Sequence, residues 1–374
     1  MEDAKETIMS QTCGEPLPEI VIEGDRKGSS FDRTMAFLAL LTAGSFYIGI
    51  AAVYLSCFYS IHVILRRSNE AVPLWIALPL AIMLIFTYLL WPKRKRLYWQ
   101  WISPKKHDSF KRLCKSAATK VGSRTAEDSI FLPDHRIDVF CLSSLPLLPL
   151  ASGEVIAIGL LTLEQLSTQE LKVLLGRSFA LRKRQSGFAR WYLASFYRDI
   201  EGLLNVYPGM LNPIRWLFLI VRKLFLLLLA PSFKREELEA DQDAAKCYGS
   251  NVLATTLENY YLIAGMQEKL LENYMDKPGL VKSKSAPANI YKELLASYKK
   301  RMEREESRLR ENLSKAPSSS RLSMQPMLSE RLEAIDGGEV KRTGVRRAAW
   351  SLFDDKEEIQ EQMSELLWQR EKTR

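Results

Sequence analysis

The groups that could carry covalent or acid–base chemistry are few and poorly spaced. There are three histidines, His62, His107 and His135, and none stands at metal-ligand spacing from another His or from a Cys. A hydrolytic zinc site takes three protein donors and one open position, so spacing alone does not supply one. The cysteines, Cys13, Cys57, Cys114, Cys141 and Cys247, are odd in number, widely spread and without a C-x-x-C pair, which argues against a disulfide framework or a zinc knuckle and for reduced thiols. Cys247 follows acidic residues, which disfavour a thiolate. Ser178 and Ser186 have no His in sequence context to act as their base, and Lys183 stands five residues from Ser178 on a poorly matched helical face. No Gly-rich phosphate loop is present. The spacing of these groups therefore names no catalytic constellation on its own.

Those residues need helices to position them. Ser167-Thr-Gln-Glu170 has the spacing of a capping box, in which Ser167 and Glu170 satisfy two orphan amides reciprocally, and it predicts a helix from Thr168 to about Gln185 carrying Arg177, Ser178 and Leu181. Upstream, Ser109 to Val121 reads as a helix. Ser129–Leu132, Ile137–Leu142 and Glu154–Ile158 are rich in Ile, Val and Phe, are separated by Pro133, Asp134 and Gly153, and predict a small sheet. A further helix is expected from Leu253 to about Met275, ended by the segment Pro278 to Pro287. Asn289 to Ser314 alternates in charge sign and reads as a solvated helix, with a partner-binding coiled coil as the alternative. Lys315 to Ser323 is a linker in composition, and Asp354 to Gln369 carries Ile359, Met363, Leu366 and Leu367 at helical spacing, a face that docks on the domain or on a partner. The expected class is mainly α with a small β-sheet.

The run Glu154-Val-Ile-Ala-Ile-Gly through Ser167-Thr-Gln-Glu-Leu-Lys-Val-Leu-Leu175 resembles the edge strand, turn and helix start that precede the zinc site of membrane metallopeptidases of the HtpX and CAAX-prenyl endopeptidase kind. That resemblance implies a zincin-type α+β domain whose helix would continue as H-E-x-x-H, with two His on one face binding zinc and the Glu serving as general base. Here it continues Gly176-Arg177-Ser178-Phe179-Ala180-Leu181, so both ligand positions, Arg177 and Leu181, and the base position, Ser178, are degenerate. Arg235-Glu-Glu-Leu-Glu-Ala-Asp241 is similar to the family's E-x-x-A-D segment, which maps the third zinc ligand to Glu237. Gln325-Pro326 through Ser329-Glu-Arg-Leu332 resembles its His-Pro segment near an Arg, with Gln325 in place of His. A guanidinium is always cationic and offers no lone pair, so Arg177 repels a divalent ion. The expectation is a domain without catalytic residues and without zinc, in which Arg177 takes the vacated volume and pairs with Glu237; the alternative is that Arg177 reaches solvent and Glu237 belongs to an exposed charged helix.

Two apolar segments precede this domain. Thr34 to Leu65 and Ala71 to Pro92 contain no Asp, Glu, Lys or Arg, and each exceeds the ~20 residues that carry a helix across ~30 Å of hydrocarbon. An acidic tail precedes the first, which is incompatible with a cleaved signal. The second runs into Lys93, Arg94, Lys95, Arg96, Lys105 and Lys106, so that side is expected to be cytoplasmic, with the N-terminus on the same side and Arg66 and Arg67 at the outer tip of a hairpin. Trp91, Tyr98, Trp99 and Trp101 suit the headgroup zone. A third apolar stretch, Trp216 to Pro231, is interrupted by Arg222 and Lys223, each costing about 2.5–3.5 kcal/mol at mid-bilayer depth. It reads as a helix on the bilayer surface or inside the domain, with a third span using snorkelling or paired charges as the alternative.

The expected organisation is a cytoplasmic tail (1–33), two transmembrane helices (34–92), a basic juxtamembrane segment (93–108), a metallopeptidase-like domain (109–275) and a charged helical region that completes it (276–374). The net charge of +9 is read as attraction to a membrane surface and not to nucleic acid, because no aromatic-interleaved basic patch accompanies it. Three functions compete: a membrane-anchored pseudopeptidase that binds a protein, an active metalloendopeptidase with a non-standard site around Glu237, Asp241 or His135, and a membrane-surface adaptor acting through residues 289–374.

Overall fold

The computed structural model describes residues 30–67, 76–81, 83–84, 100–102, 107–126, 128–133, 135–145, 148–185, scattered positions between 192 and 204, and then 213–275, 289–314, 325–336 and 347–372. The expected tail, the basic run Lys93–Arg96 with Lys105 and Lys106, the aromatics Trp91, Tyr98 and Trp99, and Ser186 lie outside the described residues, as does most of the second expected span. The chain is mainly helical with one small sheet.

Four strands, β1 (Gln100–Ile102), β2 (Asp128–Leu132), β3 (Ile137–Leu145) and β4 (Leu148–Gly159), lie in the order β1-β2-β4-β3. β4 runs parallel to β2, with Ile130 opposite Ala157, and antiparallel to β3, with Val139 opposite Ile156. This corrects the expectation that Glu154–Ile158 is an edge strand: β4 is interior, and β1 and β3 are the edges. The physical signal was present in Val155-Ile156-Ala157-Ile158, an unbroken apolar run of the kind carried by strands covered on both faces. Ile156 and Ile158 face the main core, while Val155 and Ala157 join Ile130, Leu132 and Phe140 in a second cluster. Trp101, expected among headgroups, sits in β1 opposite Ile130.

The helix starting at the capping box, α4 (Thr168–Arg184), follows α2 (Asp108–Lys120) and the single turn α3 (Leu160–Leu163). Both reciprocal bonds of the box are made, the Glu170 amide to Ser167 Oγ at 3.2 Å and the Ser167 amide to Glu170 Oε2 at 2.9 Å. Leu171, Leu174, Leu175 and Phe179 are almost wholly buried among the other helices, each stabilising the fold by about 1.5–3 kcal/mol.

Next comes α5 (Pro213–Tyr248), one 36-residue helix that continues through Arg222, Lys223 and Pro231. Its first half is apolar and its second half carries Glu237 and Asp241. Among the described residues it supplies the one helix long and apolar enough to cross a membrane, with a mean hydropathy of 1.9 over its best window. It ends at Gly249, whose φ of +91° suits glycine and whose amide bonds back to the Ala245 carbonyl at 2.7 Å, and α6 (Ser250–Met275) follows at once. Of the expected N-terminal hairpin, the first segment forms α1 (Ser30–Arg67), and residues 76–81 and 83–84 of the second are helical.

The C-terminal elements are α7 (Ile290–Ser314), α8 (Leu328–Ala334), a 3-10 turn (Ala349–Leu352) and α9 (Lys356–Lys372). The start of α7 is not solvated as expected: Ile290, Tyr291, Leu294 and Tyr298 are buried in the main core beside Trp350, Phe353, Ile359, Met363 and Leu367. Charge alternation masked this face because apolar residues occupy only one stripe of an otherwise charged helix.

Gly176 and Tyr248 set how closely α4 and α5 approach. A Cβ on Gly176 would lie 2.4–2.7 Å from the Tyr248 ring and hydroxyl, so the two helices touch through glycine alone at this point. Gly176→Ala is expected to destabilise the domain by about 1–3 kcal/mol through overpacking, despite the higher helix propensity of Ala. Thermal unfolding of the purified variant checks this, and an unchanged midpoint would refute the close approach.

Candidate functional site

Where α4 crosses the polar half of α5, charged side chains meet in a buried cluster. Arg177, a half-turn from the fully buried Phe179, reaches across to α5: its Nη2 pairs with Glu237 Oε2 and its Nε donates to Asp241 Oδ1 at 2.8 Å. Glu237 and Asp241 are one turn apart and so lie on the same face of α5. A second cation arrives from α8. Arg331 donates from Nε to Asp241 Oδ2 at 2.7 Å and from Nη2 to Asp241 Oδ1 at 2.6 Å, the parallel two-bond geometry that gives arginine–carboxylate pairs their strength. Its Nη1 donates to the Tyr261 hydroxyl at 3.1 Å, which in turn donates to the Pro326 carbonyl at 3.3 Å. Asp241 is wholly buried and Arg331 is 4% exposed.

The electrostatics follow from this packing. Burial alone would push the Asp241 carboxyl up, but Arg177 and Arg331 outweigh it and hold the acid below its ordinary range. Burial opposes the charge on Arg331, and the Asp241 carboxylate more than offsets it, holding the guanidinium more firmly protonated than usual. Two turns further along α4, Arg184 repeats the connection, donating from Nε and Nη2 to Asp243 at 2.9 and 2.6 Å and pairing with Glu239. That outer pair is about a third exposed and contributes little by comparison.

The degenerate positions on α4 point in different directions. Ser178 is buried and donates to the Ile137 carbonyl of β3 at 3.4 Å, and Leu181 is buried in the main core. Lys183 donates to the Val121 carbonyl at 3.3 Å and so does not serve Ser178 as a base. His62 is exposed on α1. His107 is buried, with its Nε2 3.5 Å from Asp355 Oδ1 and its ring edge-on to Phe353, while the His135 ring packs 6.1 Å from Tyr260. Gln325 is exposed ahead of α8. Burial pushes the Cys114 and Cys247 thiols up; for Cys247 the nearby Lys120 opposes that shift and Asp243, one of the preceding acids, adds to it. Sequence reasoning quoted Arg331 but missed its partnership with Asp241. Its signal was faint, an Arg on a helix with Leu328 and Leu332 and 90 residues distant from the acid.

The donor set does not fit a zinc ion. Glu237 and Asp241 both face guanidinium groups, which donate hydrogen bonds but have no lone pair to share, and among the described residues no group of three or more His, Cys, Asp or Glu is arranged to hold a metal. What the cluster can do is join α4, α5 and α8 through one buried carboxylate. No protein-family model matches the chain, and no curated protein or solved structure matches it.

Proposed function

We propose that this chain is a membrane-anchored pseudopeptidase: a metallopeptidase-like scaffold that works by binding a protein and not by cleaving one. The reading rests on one observation, the engagement of both Glu237 and Asp241 by Arg177, in the helix pair where the resembled family would hold zinc. A permanent cation there joins the helices as the metal would, and leaves no Lewis acid and no base at Ser178 to activate water. On this reading the cofactor is none, and the partners are the lipid bilayer and a protein, with no nucleic acid. The hairpin of residues 34–92 anchors the chain, and the basic run after it sets the N-terminus and the domain in the cytoplasm.

Supporting the membrane assignment, among the side chains the structure describes, the large apolar ones that stand more than about a third exposed fall in α1, at positions 78–84, or in the first half of α5. Exposed apolar surface gathered in this way marks contact with something other than water.

Metal analysis of the full-length protein purified without chelator is the test. Substoichiometric zinc, with no peptidase activity gained on adding zinc, is the expected result. Stoichiometric zinc that disappears in Glu237→Ala would replace this reading with the active-peptidase one.

A further inference from the structure

We infer that the bilayer holds a second antiparallel pair of this chain, formed by the helical positions 192, 193, 196, 197, 200, 201 and 204 and the apolar half of α5, inserted from the side on which the domain lies. The inference rests on the membrane anchoring proposed above. Leu193, Phe196 and Ile200 are buried against Phe218, Phe225 and Leu229 in a cluster separate from the main core. Phe196 lies 5.4 Å from Phe225, and Glu201 Oε1 is 2.5 Å from Arg222 Nε, so the later residue of the first segment meets the earlier residue of the second and the two run antiparallel.

Three observations point to lipid as the occupant of the outer face. First, Trp216, Leu217, Ile220, Leu224 and Leu227 stand 45–56% exposed along one stripe of α5. Second, Leu40 of α1 packs against the same cluster, so this stripe continues the exposed apolar surface of the first anchoring helix. Third, Arg222, one of the two charges that argued against insertion, is neutralised by Glu201, which also accepts from the Tyr197 hydroxyl at 2.5 Å. A paired charge is the form in which intramembrane ionisable residues are tolerated, and Lys223 is a single long side chain able to snorkel; the other charges of the two arms are Arg215, two residues from Pro213 at the outer end, and Arg198 and Asp199, adjacent residues of opposite sign. From Pro213 to Pro231 α5 rises by about 27 Å, close to the thickness of the hydrocarbon.

The sidedness follows from the buried cluster. Arg177 and Arg184 tie α4 to the polar half of α5, so both lie on one side of the bilayer. Between them the chain must go in and come back, which the antiparallel pair accomplishes.

The test uses the full-length chain in phosphatidylcholine vesicles, with single added cysteines carrying bimane and read over the background of the unsubstituted chain. With lipids brominated on their acyl chains, bimane at Ile220→Cys, Leu224→Cys and Leu227→Cys should be quenched as strongly as at Ile48→Cys in α1, and at Gln242→Cys and Lys246→Cys not quenched. An impermeant maleimide should label Lys115→Cys and Lys246→Cys from the same side. Quenching at Ile48 without quenching at 220, 224 and 227 overturns the second pair and leaves the first anchor standing. Loss of quenching at all four overturns both, and labelling of positions 115 and 246 from opposite sides overturns the sidedness.

Discussion

Asp241→Asn is expected to lower the stability of the domain by about 3–5 kcal/mol, because it leaves the buried Arg331 and Arg177 without their shared counter-charge. For a domain of this size the unfolding midpoint should fall by on the order of 10 °C. Thermal unfolding followed by circular dichroism in detergent checks it, and a shift of less than about 1 kcal/mol would show that the cluster is solvated. The same carboxylate makes the domain acid-labile. Its folded-state pKa is depressed, so its contribution is fully present above the ordinary aspartate range and is lost as pH falls through the lower folded value. The wild-type stability curve should therefore drop on the acid side, and Asp241→Asn should flatten that drop.

Truncation after residue 346 is expected to abolish folding of the domain. It removes Trp350, Phe353, Ile359, Met363 and Leu367 from the main core, where Trp350 is 4% exposed and Met363 wholly buried. A single buried Trp or Phe reduced to Ala costs about 3–5 kcal/mol, and a whole domain is stable by only about 5–15 kcal/mol. The loss extends to α4: the Thr168 amide donates to the Arg347 carbonyl at 2.9 Å and the Ala349 amide to the Leu166 carbonyl at 2.9 Å, so the C-terminal segment also brackets the capping box. A protease-resistant truncated product with native circular dichroism would contradict this. The adaptor hypothesis predicts that deleting residues 289–374 removes binding while changes at Arg177 or Glu237 do not; because Ile290, Tyr291 and Leu294 are interior residues of the domain, point substitutions on the exposed face of α7 test it without unfolding the domain.

Local grammar made much of the fold legible. The capping box located the start of α4, because both of its bonds lie within four positions, and the apolar runs located β2 and β3 to within a few residues but only the second half of β4. The order of the strands was not legible from those runs, since pairing is a long-range choice; reading β4 as an edge ignored that Val155-Ile156-Ala157-Ile158 has no polar face to show to water. The length of α5 was also hidden. Arg222 and Lys223 look like an interruption until Glu201 is placed beside Arg222, and Pro231 looks like a stop although the helix continues beyond it. At the site, the sequence marked Arg177, Glu237 and Asp241 as candidates, and the helix crossing brings all three together. Arg331 escaped because no periodicity links α8 to α5; only the tertiary fold makes it the main donor to Asp241.

The four charged groups of the cluster are all covalent parts of one chain, two positive and two negative. On the reading proposed above, a joint built this way is complete as soon as the polypeptide has folded and requires no loading from a pool of ions. Its integrity is then expected to follow acidity and temperature, through the protonation of Asp241.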